Sequence, residues 1–158
     1  MDPQDVVAAV LTARGLTLAT AESLTGGLLG GRITAAPGAS RFYRGGIVAY
    51  ATEAKEHVLG VDGGLLAAHG PVSHPTAVAM AVAARQRFAA DYGLSTTGVA
   101  GPAEQDGHPV GTLFVGVSGP TGDRAVALRG TATGRDALRD WAVREALRAL
   151  ATDLDTPH

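Results

Sequence analysis

"ATAESLTGGLLGG", residues 19–31, is the stretch whose reading decides the fold. An apolar run ends at Glu22-Ser23, passes through Thr25-Gly26-Gly27, and becomes apolar again at Leu28. Upstream, "LTLATA" (16–21) reads as a strand. Downstream, "TGGLLGGRITAA" (25–36) reads as a helix that starts near Ser23 or Thr25 and ends before Pro37. A strand feeding directly into a helix is the first half of a crossover unit, so its neighbours in the sheet are expected to run parallel to it.

The same alternation continues outward. Residues 4–13 form an amphipathic helix closed by Gly15. "GIVAYA" (46–51) is a second strand. "TEAKEHVLG" (52–60) is a short helix with Thr52 as N-cap and Gly60 as terminator. One or two helical turns follow at 63–70. Ser73 caps a long helix, 74–92, with Pro75 in its first turn and Ala81, Ala84, Phe88 and Tyr92 on one face. "LSTTGVA" (94–100), "GTLFVGVS" (111–118) and "RAVALRG" (124–130) are three more strands, the last two joined as a hairpin through "GPTGD". A final helix over 134–153 carries Val143, Leu147, Leu150 and Leu154 as a stripe, and the tail 155–158 is expected to be loose. The expectation is an α/β fold: a single three-layer α/β/α domain over residues 1–158, with a mostly parallel (mixed) sheet of about five strands.

Composition limits the function. A chain of 158 residues with 46% hydrophobic and 18% charged residues holds one well-filled core and is not a disordered chain. The absence of Cys removes disulfides, thiolate catalysis and Cys-ligated metals. The richest apolar patch, 77–84, is far shorter than the ~18 residues of a membrane span. "MDPQDVV" has no basic leader, so a cytoplasmic location is expected and no membrane contact. A net charge of −2 gives no broad basic face, and no direct nucleic-acid partner is expected.

Three chemistries compete for the opening stretch. A phosphate loop needs G-x-x-x-x-G-K-[ST]; here Arg32 and Ile33 stand at the Lys and hydroxyl positions, so that reading fails. A Rossmann G-x-G-x-x-G is also absent from this turn. Two readings stay open. In one, Ser23 or Thr25 merely caps a helix. In the other, Ser23 is a nucleophile, the backbone N–H groups of 25–27 hold an oxyanion, and Gly26 and Gly27 leave room for substrate. A serine nucleophile needs a base. None of the five histidines lies at the end of an expected strand, and no pair has metal-ligand spacing on a helix. Lys55 is the only lysine beside twelve arginines, and it opens the short helix after the second strand. A desolvated Lys can act as a base where Arg cannot.

Taken together, "TAESLTGG" (20–27), "PGASRFYRGGIVAYATEAKEHVLGV" (37–61), "GPVS" (70–73), "TGVAGP" (97–102) and "PVGT" (109–112) resemble the CinA C-terminal domain family, over roughly residues 5–150. That family includes the stand-alone nicotinamide-nucleotide amidohydrolases. The resemblance implies hydrolysis of the carboxamide of nicotinamide mononucleotide to nicotinate mononucleotide and ammonia, with no cofactor and no metal. It implies a small-molecule substrate, a pyridine mononucleotide, and a homodimer. By position, Ser23 is the nucleophile, Lys55 its partner, and Tyr50 assists proton movement. The same resemblance puts Ser40 near the site and Thr97, Gly98, Ala100 and Gly101 on the nucleotide pocket. Arg135, with Arg139 one turn on, is the basic element for a phosphate. Thr25, Gly26 and Gly27 join the substrate site, with Glu22 as a hydrogen-bonding support. Leu24, Thr52 and His74-Pro75 depart from the family pattern. So does the short acidic loop "AEQDGH" (103–108), which sets Glu104 and Asp106 near the approach of an anionic nucleotide. That loop frames the alternative: a weak or inactive nucleotide-binding module of regulatory type, linked to competence or DNA damage.

Overall fold

The computed structural model describes residues 1–155. Five strands form one sheet in the order β2-β1-β3-β4-β5: β1 (Leu18–Glu22), β2 (Tyr43–Val48), β3 (Tyr92–Gly98), β4 (Thr112–Gly119) and β5 (Gly122–Arg129). β1 pairs in parallel with both β2 and β3, because helices occupy both connections. No helix lies between β3 and β4, so that pair runs antiparallel; β4 and β5 form the expected hairpin, with Gly119 opposite Gly122.

Six helices cover the two faces: α1 (Pro3–Arg14), α2 (Leu28–Thr34), α3 (Thr52–His57), α4 (Gly63–His69), α5 (His74–Arg87) and α6 (Arg135–Asp155). The alternation of β1 divides the core. Leu18 packs with Val7, Leu11, Leu29 and the α6 residues Val143, Leu147, Leu150 and Leu154. Ala19 and Ala21 face Leu59, Leu66, Met80 and Ala84 on the α3–α5 side. Each cluster removes several large side chains from water, and burial of each contributes roughly 1.5–3 kcal/mol. α5 lies directly on the sheet where side chains are missing. A Cβ at Gly93 would stand 2.0 Å from the Ala81 carbonyl oxygen, and one at Gly116 would stand 2.1 Å from that of Ala77. Among the described residues, no helix is long and apolar enough to cross a membrane.

Several boundaries differ from expectation. α2 begins at Leu28, not near Ser23 or Thr25; Gly26 and Gly27 have φ of +56° and +105°, outside the helical region. β2 ends at Val48, so Tyr50 lies in the loop beyond it. Ala51, not Thr52, is the N-cap of α3. α5 stops at Arg87 because the chain turns at Ala89 (φ +48°), and Tyr92, expected on the helix face, opens β3. The loose tail expected at 155–158 lies outside the described residues, except that Asp155 ends α6.

β1, β2 and β3 are parallel, so their carboxyl ends share one edge. α2 leaves β1 across one face, and α3–α5 return to β3 across the other. Open sheets of this kind offer a crevice at that edge.

Candidate active site

A cleft of about 100 Å³ opens at this edge. Ser23, the first residue after β1, lies at its base beside Lys55; Tyr50 and Arg135 are on its wall, together with the loop Thr97–Gly101. Ser23 is fixed by its backbone, since its N–H donates to the Thr96 carbonyl at 3.0 Å. Its side chain is 7% exposed.

Lys55 projects from α3 beneath the β2–α3 loop and is 1% exposed. Its Nζ donates to Ser23 Oγ at 3.0 Å, to the Ala49 carbonyl at 2.9 Å and to the Tyr50 carbonyl at 3.2 Å. No carboxylate pairs with it; the ion pairs among the described residues all belong to arginines. Burial without a counter-charge pushes its pKa down from 10.5 to about 8. The three acceptors match the three N–H donors of an ammonium. In the neutral amine, two N–H groups suffice for the two carbonyls, and the lone pair is left for the Ser23 hydroxyl. The same geometry therefore serves both protonation states of a general base.

Glu22 has a structural place. Its buried carboxylate accepts from Thr25 Oγ1 at 2.6 Å and from the N–H groups of Gly27, Leu29 and Gly30 at 3.2, 2.9 and 3.1 Å. It caps the start of α2 from the preceding strand, because Gly27 has no side chain to do so. Thr25 is fully buried and also bonds Thr96 Oγ1 at 2.8 Å. Neither residue lines the cleft. Gly26 and Gly27 do not form its floor either. The N–H of Gly26 is taken by the Ser23 carbonyl at 3.0 Å, that of Gly27 by Glu22, and Arg139 covers Gly26. Two of the three oxyanion donors expected at 25–27 are thus already engaged.

The two arginines separate. Arg135, at the start of α6, lies at the mouth of the cleft, where it donates to the Tyr50 hydroxyl at 2.9 Å and to the Gly101 carbonyl. Arg139 does not line the cleft: Nε donates to the Leu24 carbonyl at 3.0 Å and Nη2 to the Thr25 carbonyl at 3.3 Å. Tyr50 reaches Lys55 through its backbone carbonyl, while its half-exposed phenol bonds Arg135; no described hydrogen bond connects that phenol to Ser23 or Lys55. Ser40 lies at the other end of β2, in a separate depression with Thr17, Arg41 and Arg44. The fold does not bring it to Ser23 within this chain.

Thr97, Gly98, Ala100 and Gly101 all line the cleft, with Thr97 Oγ1 tied to the Pro71 carbonyl at 2.7 Å. Pro71, Val72, Leu24, Val99, Ala103 and Gln105, not expected at the site from sequence, complete the wall. The "GPVS" motif was a usable signal for the first two. The acidic loop is a tight turn: Gln105 and His108 exchange backbone hydrogen bonds around Asp106 and Gly107, at φ +49° and +79°. Gln105 lines the cleft from it, while Glu104 and Asp106 are exposed and do not. No cluster of His, Asp or Glu among the described residues could hold a metal ion.

Comparisons with known proteins identify the family. The model of the CinA C-terminal domain matches residues 2–154. A CinA-like protein of Frankia casuarinae is 56% identical over 146 residues, covering 91% of this chain and 33% of the relative. One from Gloeobacter violaceus is 46% identical over 149 residues, covering 93% and 35%. The chain therefore spans about one third of the length of these curated relatives. Solved structures match over nearly their whole length. The competence damage-inducible protein A of Klebsiella pneumoniae superposes with a TM-score of 0.94 at 33% identity, covering 99% of this chain and 97% of that one. The competence/damage inducible protein of Agrobacterium tumefaciens gives 0.90 at 34% identity, covering 99% and 97%. The chain belongs to the CinA C-terminal domain family.

Proposed function

We propose that this domain hydrolyses the carboxamide of a pyridine mononucleotide, nicotinamide mononucleotide, to nicotinate mononucleotide and ammonia. The observation that carries the reading is the 3.0 Å contact between Ser23 Oγ and a buried lysine with no carboxylate partner. Neutral Lys55 accepts the hydroxyl proton as Ser23 Oγ attacks the amide carbon. The resulting ammonium returns that proton to the leaving nitrogen, and ammonia departs from an acyl-Ser23 ester. Water, deprotonated by the same amine, then releases the carboxylate. At pH 7 a pKa of about 8 leaves about a tenth of Lys55 neutral, where an unperturbed lysine leaves less than a thousandth. Lys55 and Arg135 are the two cations on the described wall of the cleft. Lys55 is committed to the chemistry, so Arg135 at the mouth receives the phosphate.

The test is ammonia release from nicotinamide mononucleotide by the wild type, Ser23→Ala and Lys55→Met. Turnover by wild type alone is expected. Equal release by Ser23→Ala refutes the nucleophile. Tight nucleotide binding without turnover by wild type moves the assignment to the non-catalytic binding module.

A further inference from the structure

The turn after Ser23 holds its backbone in an unusual balance. The carbonyls of its first three residues are in use: that of Ser23 accepts from Gly26 N–H, that of Leu24 from Arg139 Nε, and that of Thr25 from Arg139 Nη2 and from Leu28 N–H. Its N–H groups are not. Gly26 and Gly27 donate within the turn or to Glu22, but the N–H groups of Leu24 and Thr25 have no hydrogen-bond partner among the described residues. Both peptides are trans, so each free N–H points opposite the carbonyl of its own peptide plane. The Ser23 carbonyl is held inside the turn, and the Leu24 carbonyl is held toward α6. The Leu24 N–H therefore faces away from the inside of the turn, and the Thr25 N–H away from α6. Leu24 lines the cleft, next to the nucleophile in sequence. The N–H groups of Ala100 and Gly101, which line the same cleft, are likewise without a partner among the described residues, whereas that of Val99 is taken by the Thr112 carbonyl.

We infer that the Leu24 N–H is the primary oxyanion donor of this site, opposed by the Ala100 N–H, and that Arg139 is the positioning residue that aims it. The inference rests on the amide-hydrolysis reading and deepens it. When Ser23 Oγ bonds to the amide carbon, the carbonyl π pair moves onto oxygen, and that oxygen needs preorganised donors. Arg139 touches no reacting atom. Its planar fork holds two successive carbonyls at once, which a lysine ammonium on a flexible stem does not reproduce. Its partners also explain why a partly buried arginine comes at the head of the inward face of α6 without lining the cleft. Glu22 anchors the far end of the same segment through Gly27, Leu29 and Gly30, so the turn is held from both sides.

The experiment compares wild type with Arg139→Met and Arg139→Lys in steady-state deamidation of nicotinamide mononucleotide. It adds amide ¹⁵N–¹H spectra of the ligand-free proteins. Both variants are expected to lose about 10–100-fold in kcat with KM within about twofold, because a misplaced oxyanion donor weakens only the transition state. Arg139→Lys should fall nearly as far as Arg139→Met although the charge is kept. The Leu24 and Thr25 amide resonances should shift in both variants, while those of β4 and β5 stay in place and confirm the fold. A rise in KM at constant kcat overturns the inference and makes Arg139 a substrate contact. Unshifted Leu24 and Thr25 resonances overturn it even where no turnover exists to be measured. Absence of ammonia from wild type overturns the amidohydrolase reading instead, so the two failures are told apart.

Discussion

The turn that follows β1 and the loop that follows β3 open onto the same cleft, but they are held in opposite ways. In the turn, residues 23–27 are bound to Glu22, Thr96 and Arg139 by largely buried hydrogen bonds. In the loop, bonds of Val99 to Thr112 and Gly111 pin only the base, and the tip at 102–107 is exposed, held by the Gln105–His108 pair. The turn carries the hydroxyl proposed as nucleophile, and the placement of a nucleophile within a fraction of an ångström governs rate. The loop carries one cleft-lining amide side chain, whose placement governs fit. Hydrogen bonds are concentrated in the turn that holds Ser23, and the exposed tip at 102–107 is the part of the rim least tied to the core.

The sharpest way to break that contrast is to remove the proposed nucleophile and its proposed base. Ser23→Ala and Lys55→Met should each lower kcat by about 10³-fold or more, measured as ammonia release, with the cooperative fold retained. The next largest effect is on stability. Glu22→Ala leaves three buried or half-buried N–H groups and the Thr25 hydroxyl without their acceptor and should cost about 3 kcal/mol or more in chemical denaturation. Glu104→Ala, on the exposed loop, should stay within about 0.5 kcal/mol. Comparable losses at the two positions contradict the idea that the turn and the loop differ in how they are held.

Lysine 55 adds a pH test of the rigid side. Its folded pKa of about 8 is below the unfolded 10.5, so the folded state binds fewer protons between those values. Stability should therefore rise as pH increases through that window, by at most about 3 kcal/mol, and the charged-state penalty is present in full below pH 8. Lys55→Met should abolish that slope. In wild type, kcat/KM should climb with pH and level off near pH 8, as the neutral amine becomes the majority form. A profile already flat from pH 6 removes Lys55 as the base.

The same contrast explains what could be read from the sequence. The five strands and the helices between them followed from apolar periodicity, and so did the buried stripe Val143–Leu154. A single lysine among twelve arginines pointed to Lys55 because its chemistry is not exchangeable. The hydrogen-bond assignments inside the turn were not legible. Ser23 looked like a helix cap because S-x-T-G-G fits one. The cap is instead Glu22, a strand residue, and the glycines serve left-handed backbone rather than open space. Arg139 reads from sequence as a phosphate ligand one turn beyond Arg135, but its partners are main-chain carbonyls more than a hundred residues away, which carry no residue-type signal. Tyr50 was assigned by position in a motif, and motif position does not say whether the phenol or the carbonyl is the atom presented. Pro71 and Val72 reach the cleft only because the chain ahead of α5 crosses over the end of β3, where Thr97 bonds the Pro71 carbonyl.

The smallest effects belong to the loop. Gly107 at φ +79° completes a two-residue turn with both central positions left-handed, so Gly107→Ala should cost about 1 kcal/mol of local stability. That strain stays at the tip, since nothing lies within 4 Å of a Cβ added there. Gln105→Ala removes the side chain that this turn presents to the cleft. Among the described residues no hydrogen bond joins it to Ser23 or Lys55, and its expected signature is a rise of about 2–5-fold in KM with kcat unchanged, the mark of binding shared by ground and transition states. A fall in kcat instead would mean that the loop closes on the reacting centre and is as much a part of the machinery as the turn. Measured beside Arg139→Met, which should move kcat and leave KM, the two variants form a reciprocal pair. One perturbs how the nucleophile's turn is aimed, and the other how the substrate is seated.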